Sequence, residues 1–204
     1  MENVYLSPAR PGMSEITEKR SRFIGNIAHV ESEQEALDFV KSIKKEYYDA
    51  KHSAYAYISG TVRRYSDDGE PAKTAGLPIL DMLDAQGLTD CVCVVTRYFG
   101  GVLLGTGGLV RAYTSAALGA LEGGEIIRYD VYTEAELSVS YSDYGKIASV
   151  LEAHGFRTEN TLYDVRITLS GRIVSTNYEN LEADLIEATA GRIEMKKLGE
   201  AFGY

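Results

Sequence analysis

The 204-residue chain contains no tryptophan, two cysteines and four prolines. The cysteines alternate within Cys91-Val92-Cys93-Val94-Val95. In a strand they therefore share one face, which is poor disulfide geometry. No second Cys or His cluster accompanies them, so a structural metal site or disulfide framework is excluded and both read as small core residues. Long apolar runs are also missing: none approaches the ~20 residues that span a bilayer. Residues 1–12 lack a basic segment followed by an apolar core, so no secretory signal is expected, no membrane partner is expected, and the cytoplasm is the expected compartment. A basic excess is absent too. The net charge is −9, which argues against a generic nucleic-acid coat. The deficit is uneven, however. Residues 1–128 carry 14 lysines and arginines against 17 acids, and residues 129–204 carry 7 against 13. A local basic patch can survive in the first stretch, whereas the second is a poor place to hold phosphates.

What is present fits an ordinary globular protein of one large or two small domains, with 45% hydrophobic and 25% charged residues. Met13–Glu18 and Phe23–Val30 read as strands joined through Lys19-Arg20-Ser21-Arg22. Ser32 and Glu35 form a capping box ahead of a helix ending near Tyr47. Ser53–Ser59 and Val62–Tyr65 read as a hairpin. A turn-rich loop, Ser66–Gly76, leads to a short helix with Pro78 in its first turn. Asp90–Phe99 is an apolar strand, central in its sheet. A helix follows from Gly107 or Gly108 to Leu121. Beyond Asp130 the order becomes strand, helix, strand, strand, helix, strand. Ser142 is the expected cap of the first of these helices, and Thr176 with Glu179 of the second; the last strand is expected over Arg192–Leu198. That order is the ferredoxin-like split βαβ motif. The expected class is α+β, with a boundary near Ile126–Asp130: domain 1–128, then a ferredoxin-like domain 129–204.

The most informative stretch is Arg97–Arg111, where a strand runs through five glycines into a helix with an arginine on either side. Glycine permits tight turns and close approach of a ligand, and a helix N-terminus offers unpaired N–H groups to an anion. The spacing is not that of a P-loop, and a Gly105-x-Gly107 pair without the last glycine is not a Rossmann fingerprint. No cofactor motif is complete, and no cofactor is expected.

Three blocks carry a family resemblance: Lys19-Arg20-Ser21-Arg22-Phe23-Ile24-Gly25, Asp67-Asp68-Gly69-Glu70-Pro71-x-x-Thr74-Ala75-Gly76-x-Pro78-Ile79-Leu80, and Arg97–Tyr113. Together they resemble the YigZ/IMPACT family over essentially the whole chain. The resemblance implies an N-terminal domain like domain IV of elongation factor G and a C-terminal domain like that factor's last domain. It also implies a role in translation, with RNA or the ribosome as partner and a protein partner in translation as a further possibility. His52-Ser53-Ala54-Tyr55-Ala56-Tyr57 is a looser match to the family's histidine block. Lys73 stands where the family has a small residue, often glycine, and adds a positive charge beside the loop.

The expected phosphate-binding residues are Lys19, Arg20, Arg22, Lys73, Arg97, Tyr98, Gly105, Gly107, Gly108 and Arg111. Arg20 and Arg22 would share a face of an extended strand, and Arg97 and Arg111 would act as forks. The bland alternative is that the glycines serve packing and the arginines pair with Asp67, Asp68 or Glu70. An enzymatic alternative, a hydrolase or phosphotransferase, would use His52, Asp67, Asp68 and Glu70 as acid/base or metal groups. A protein-interaction scaffold is a third reading.

Overall fold

The computed structural model describes residues 4–203. It is a mixed α+β protein with two sheets and five α-helices among these residues. The chain divides into two compact units, one comprising Tyr5–Arg128 and the other Val4 with the described residues from Tyr129 onward.

The elements up to Gly124, all of them but Val4 in the first unit, are β1 (Val4–Pro8), β2 (Gly12–Glu18), β3 (Ser21–His29), α1 (Glu33–Glu46), β4 (His52–Ser59), β5 (Val62–Ser66), α2 (Gly76–Ala85), β6 (Cys91–Tyr98) and α3 (Thr106–Gly124). Strand β1 was not expected from the sequence. The main sheet runs β2-β3-β6-β4-β5 and is antiparallel at every pairing. Strand β6 is central and its apolar run has a simple cause: both faces are covered. Cys91, Cys93 and Val95 join the core under α2 and α3, while Val92 and Val94 pack on the other side with Ala36, Val40 and Ile43 of α1. Burial pushes the Cys93 thiol up to about 12, so it behaves as a small apolar residue. Helix α1 starts as its sequence predicts: Ser32 Oγ accepts the Glu35 N–H at 3.2 Å. Glu35 reaches back to the Glu31 N–H at 2.8 Å, one residue further than a capping box requires.

The second unit follows the order β7 (Ile126–Val139), α4 (Tyr141–Ala153), β8 (Arg157–Tyr163), β9 (Ile167–Val174), α5 (Tyr178–Ala188) and β10 (Glu194–Gly203). Strand β7 pairs with both β9 and β10, and β9 with β8, all antiparallel. Ala135, Leu137, Ile147, Leu169, Leu181 and Leu185 form its core. Three local expectations are corrected. The cap of α4 is Ser140, which accepts the Asp143 N–H, because the helix starts at Tyr141 and already includes Ser142. Helix α5 has no side-chain cap, because Ser175–Asn177 form a 3₁₀ turn in place of the expected Thr176–Glu179 box. Strand β10 runs five residues beyond Leu198; Gly199 marks a register shift rather than an end.

Candidate functional site

The three blocks singled out above meet at one end of the first unit. Strand β6 carries Arg97, whose Cα partners are Phe23 on β3 and His52 on β4. The loop after β5 delivers Glu70. The glycine-rich loop 99–105 then leaves β6 and enters α3.

At the centre is a buried ion pair. Arg97 Nη1 donates to Glu70 Oε1 at 2.8 Å and to Oε2 at 3.1 Å, with side-chain exposures of 7% and 4%. Tyr113 donates its hydroxyl to Glu70 Oε1 at 2.8 Å. Burial, and then the Glu70 charge, push the Tyr113 phenol far upward. Arg97 Nη2 donates to Ser21 Oγ, which also accepts the Gly100 N–H. The guanidinium lies over the rings of Phe23 and Phe99, 5.4 Å from each centroid. Its Nε–H is buried and has no acceptor among the described residues. Arg97 is therefore a positioning residue spent on Glu70 rather than a fork extended to an outside anion.

The other two acids are also engaged. Asp67 accepts the backbone N–H groups of Lys73, Ala75 and Gly76 at 2.8–3.0 Å. Its carboxylate thereby caps α2 from outside the helix and complements its dipole. Asp68 accepts from Lys44 Nζ at 2.6 Å and from the Ser53 N–H at 2.7 Å. His52 Nδ1 lies 2.9 Å from the Asp68 carbonyl; a carbonyl only accepts, so Nδ1 carries a proton, and in the neutral form of the ring Nε2 is an acceptor. Among the described residues no group of three or more His, Cys, Asp and Glu side chains is disposed to hold a metal ion. His52 and Glu70 both line one cavity, but Asp67 and Asp68 do not.

The basic block is placed differently from the expectation. Lys19 and Arg20 are not in a strand. They are the two turn residues between Glu18 and Ser21, with φ of 44° and 68°, the geometry of a type I′ hairpin. Arg20 therefore cannot share a strand face with Arg22. Arg22 is in β3, paired with Glu15 at 3.0 Å and lying over the Tyr98 ring. Tyr98 donates to Asp49 at 2.6 Å, and that bond raises its phenol to about 12. The turn nevertheless lies against the glycine-rich loop. A Cβ on Gly100 would fall 2.0 Å from the Arg20 carbonyl carbon, so only glycine fits there.

Helix α3 starts at Thr106, with Gly105 at the cap and no capping side chain. Gly105 has φ 73° and ψ 168°, a region open essentially to glycine alone. The N–H groups of Thr106, Gly107 and Gly108 have no intrahelical acceptor. Gly107 differs from the others: its φ is ordinary and an added Cβ would meet only Arg111 Nη1, at 3.6 Å. Arg111 is exposed and makes no ion pair among the described residues. Lys73, at φ 61°, explains the family's glycine at that position. It is exposed and borders a different depression, beside Leu77 and Asp81. Behind the loop opens a cavity of about 470 Å³ lined by His52, Glu70, Arg97, Phe99, Leu104 and Thr106 among others.

Sequence reasoning gave no role to Ser21, Tyr113, Lys44, Lys51 or Phe99. The first had a visible signal, a small hydroxyl inside a basic block. Tyr113 lies one helical turn beyond Leu109, which places both on one face of α3. The link from Lys44 to Asp68 joins residues 24 apart and left no local trace.

Comparison with known proteins gives a consistent picture. The Impact N-terminal domain matches residues 19–121, and a domain of unknown function, DUF1949, matches residues 137–192. The chain is 32% identical to the IMPACT family member YvyE of Bacillus subtilis, over 97% of this chain and 92% of that protein. It is 33% identical to the IMPACT family member YigZ of Escherichia coli, over 96% and 98%. A crystal structure described as that of a hypothetical protein matches with a TM-score of 0.64 and 32% identity, covering 98% of this chain and 99% of that one.

Proposed function

The chain belongs to the IMPACT family, and on that premise we propose that it is a cytoplasmic, translation-related binding protein that contacts RNA, in the context of the ribosome, through the glycine-rich end of its N-terminal unit. In this reading the N-terminal unit is similar to domain IV of elongation factor G. The C-terminal unit, with its β-α-β-β-α-β order, is a ferredoxin-like domain similar to that factor's last domain. The acidic C-terminal unit serves as a spacer or a protein-facing surface.

One observation carries the proposal. The Lys19-Arg20 turn abuts the glycine-rich loop, which opens onto the uncapped first turn of α3 with exposed Arg111 beside it. Cations, free N–H donors and exposed Phe99 are the ingredients of single-strand contact. Gly107 supports the same reading, since neither its backbone conformation nor its packing requires glycine, whereas close approach of a phosphate does. The carboxylates of the enzymatic alternative are occupied by structural donors, which weighs against it.

The test is affinity for ribosomes and for a single-stranded oligoribonucleotide as a function of salt. Lys19→Glu, Arg20→Glu and Arg111→Glu together are expected to weaken binding strongly and to lower the log–log salt slope by ~0.7 per lost contact. Stability should stay within ~0.5 kcal/mol, since all three are surface positions. Unchanged affinity in a folded triple variant overturns the site.

A further inference from the structure

Phosphate contact at the loop does not require a cavity, yet one of about 470 Å³ lies behind it. That is within the roughly 300–1,000 Å³ of small-molecule sites. Most of its wall is apolar: Pro71, Phe99, Leu103, Leu104 and Leu109. Phe99 lines it while remaining 54% exposed, so ring area is open to a stacking partner.

The polar atoms are few and specific. His52 commits Nδ1–H to the Asp68 carbonyl, which leaves Nε2 as an acceptor. Arg97 is 6% exposed and commits Nη1 and Nη2 to Glu70 and Ser21. Its buried Nε–H has no acceptor among the described residues, and a buried donor left unpaired is costly. His52 and Arg97 are Cα partners across the β4–β6 ladder, so this acceptor and this donor are rooted side by side. Every nucleobase carries a donor and an acceptor next to each other on one edge. Lys51, Gly105 and Thr106 also line the cavity, placing a cation and the first N–H groups of α3 next to the apolar wall.

We infer that this cavity receives one unstacked nucleotide, with its base against Phe99, the base edge toward His52 and Arg97, and its phosphate on the first turn of α3. The inference rests on the RNA contact proposed above and names what that contact grips. The same chemistry is offered by a nucleotide within a strand and by a free nucleoside monophosphate.

The test uses the intact protein and NMR resonances of the His52 ring and the Leu104 and Leu109 methyls. The probes are adenosine monophosphate, ribose 5-phosphate, and a short RNA strand with and without a single abasic position. The nucleotide and the intact strand should shift all three side chains. Ribose 5-phosphate should shift only the amides of residues 106–108. Phe99→Ala and Phe99→Leu should each weaken the nucleotide about tenfold and leave ribose 5-phosphate unaffected. If the abasic strand binds as well as its parent and the cavity resonances stay still, the inference is overturned while the RNA contact stands. If the nucleotide binds in the cavity but no strand binds, the RNA contact falls and the pocket is one for free nucleotides. If nucleotide and ribose 5-phosphate bind alike, or neither binds, the inference fails.

Discussion

Arg97 and Arg192 each hold a carboxylate almost sealed from water, one in each unit, and the surroundings of the two pairs differ. In the C-terminal unit, Asp143 is 2% exposed at its side chain and Arg192 is 56% exposed. Asp143 lies in the first turn of α4, where it takes both Arg192 Nε and Nη2 at 2.9 Å and Lys146 Nζ at 2.7 Å. Arg192 donates through both its Nε and a terminal nitrogen while keeping its outer side in water. In the N-terminal unit both partners are buried, Nε of Arg97 is left over, and the pair lines a cavity. The first arrangement fastens the first turn of α4 to the turn that precedes β10. The second forms part of a cavity wall and leaves one donor uncommitted.

The largest effect comes from breaking the buried pair. Arg97→Leu strands the Glu70 carboxylate with Tyr113 alone and should cost ~3–5 kcal/mol in urea unfolding. Removing both charges, Arg97→Leu with Glu70→Leu, should recover most of that loss, because it leaves no unpaired charge. A double variant as unstable as the single one would mean that packing, not charge, dominates there.

Next in size are the glycines of the loop. Gly100→Ala forces a Cβ onto the Arg20 backbone and should cost ~1–3 kcal/mol. Gly107→Ala meets only the far end of Arg111 and should gain stability, by at most ~1 kcal/mol, while weakening oligonucleotide binding. Thermal unfolding and fluorescence anisotropy on the two variants separate packing from ligand approach. Equal destabilisation would remove Gly107 from the site.

The C-terminal pair is read best through pH. Hydrogen bonds from Arg192, then Lys146, hold the Asp143 carboxyl well below the ordinary carboxylate range. Its folded value is depressed. The stabilisation is therefore fully present above the unfolded value of about 3.9 and disappears as pH falls toward the folded one. In Arg192→Leu the acid-unfolding limb of the C-terminal unit should move to higher pH. An unmoved limb would assign acid stability to other carboxylates. The smallest effect is at Lys73. Replacing it with glycine relieves a left-handed conformation worth ~1–2 kcal/mol against the added chain entropy of glycine, ~0.5–1 kcal/mol. The net gain should be at most ~1.5 kcal/mol in a denaturation curve.

Local signals carried much of the fold. The Ser32 cap, the continuous apolar run of β6 and the β-α-β-β-α-β order were all legible, because each follows from side-chain period or cap chemistry. So was the possibility that an acid of the Asp67–Glu70 loop answers Arg97. Which acid does so was not, since Asp67 is diverted to the α2 N-terminus and Asp68 to Lys44, both decided by tertiary placement. The join between β2 and β3 was legible, but its two-residue geometry was not. It holds φ > 0 at Lys19 and Arg20, which are not the usual glycine, asparagine or aspartate, so Arg20 was placed on an extended face with Arg22. The cavity left no trace at all, because its walls come from β4, β6, α3 and three loops.

The central claim is that RNA meets the protein at the loop between β6 and α3. Its most direct test is ultraviolet crosslinking in cells grown with 4-thiouridine, followed by mapping of the crosslinked peptides. The account predicts crosslinks within residues 97–113, with Phe99 or its neighbours as the modified position. Crosslinks confined to residues 129–204 would contradict it.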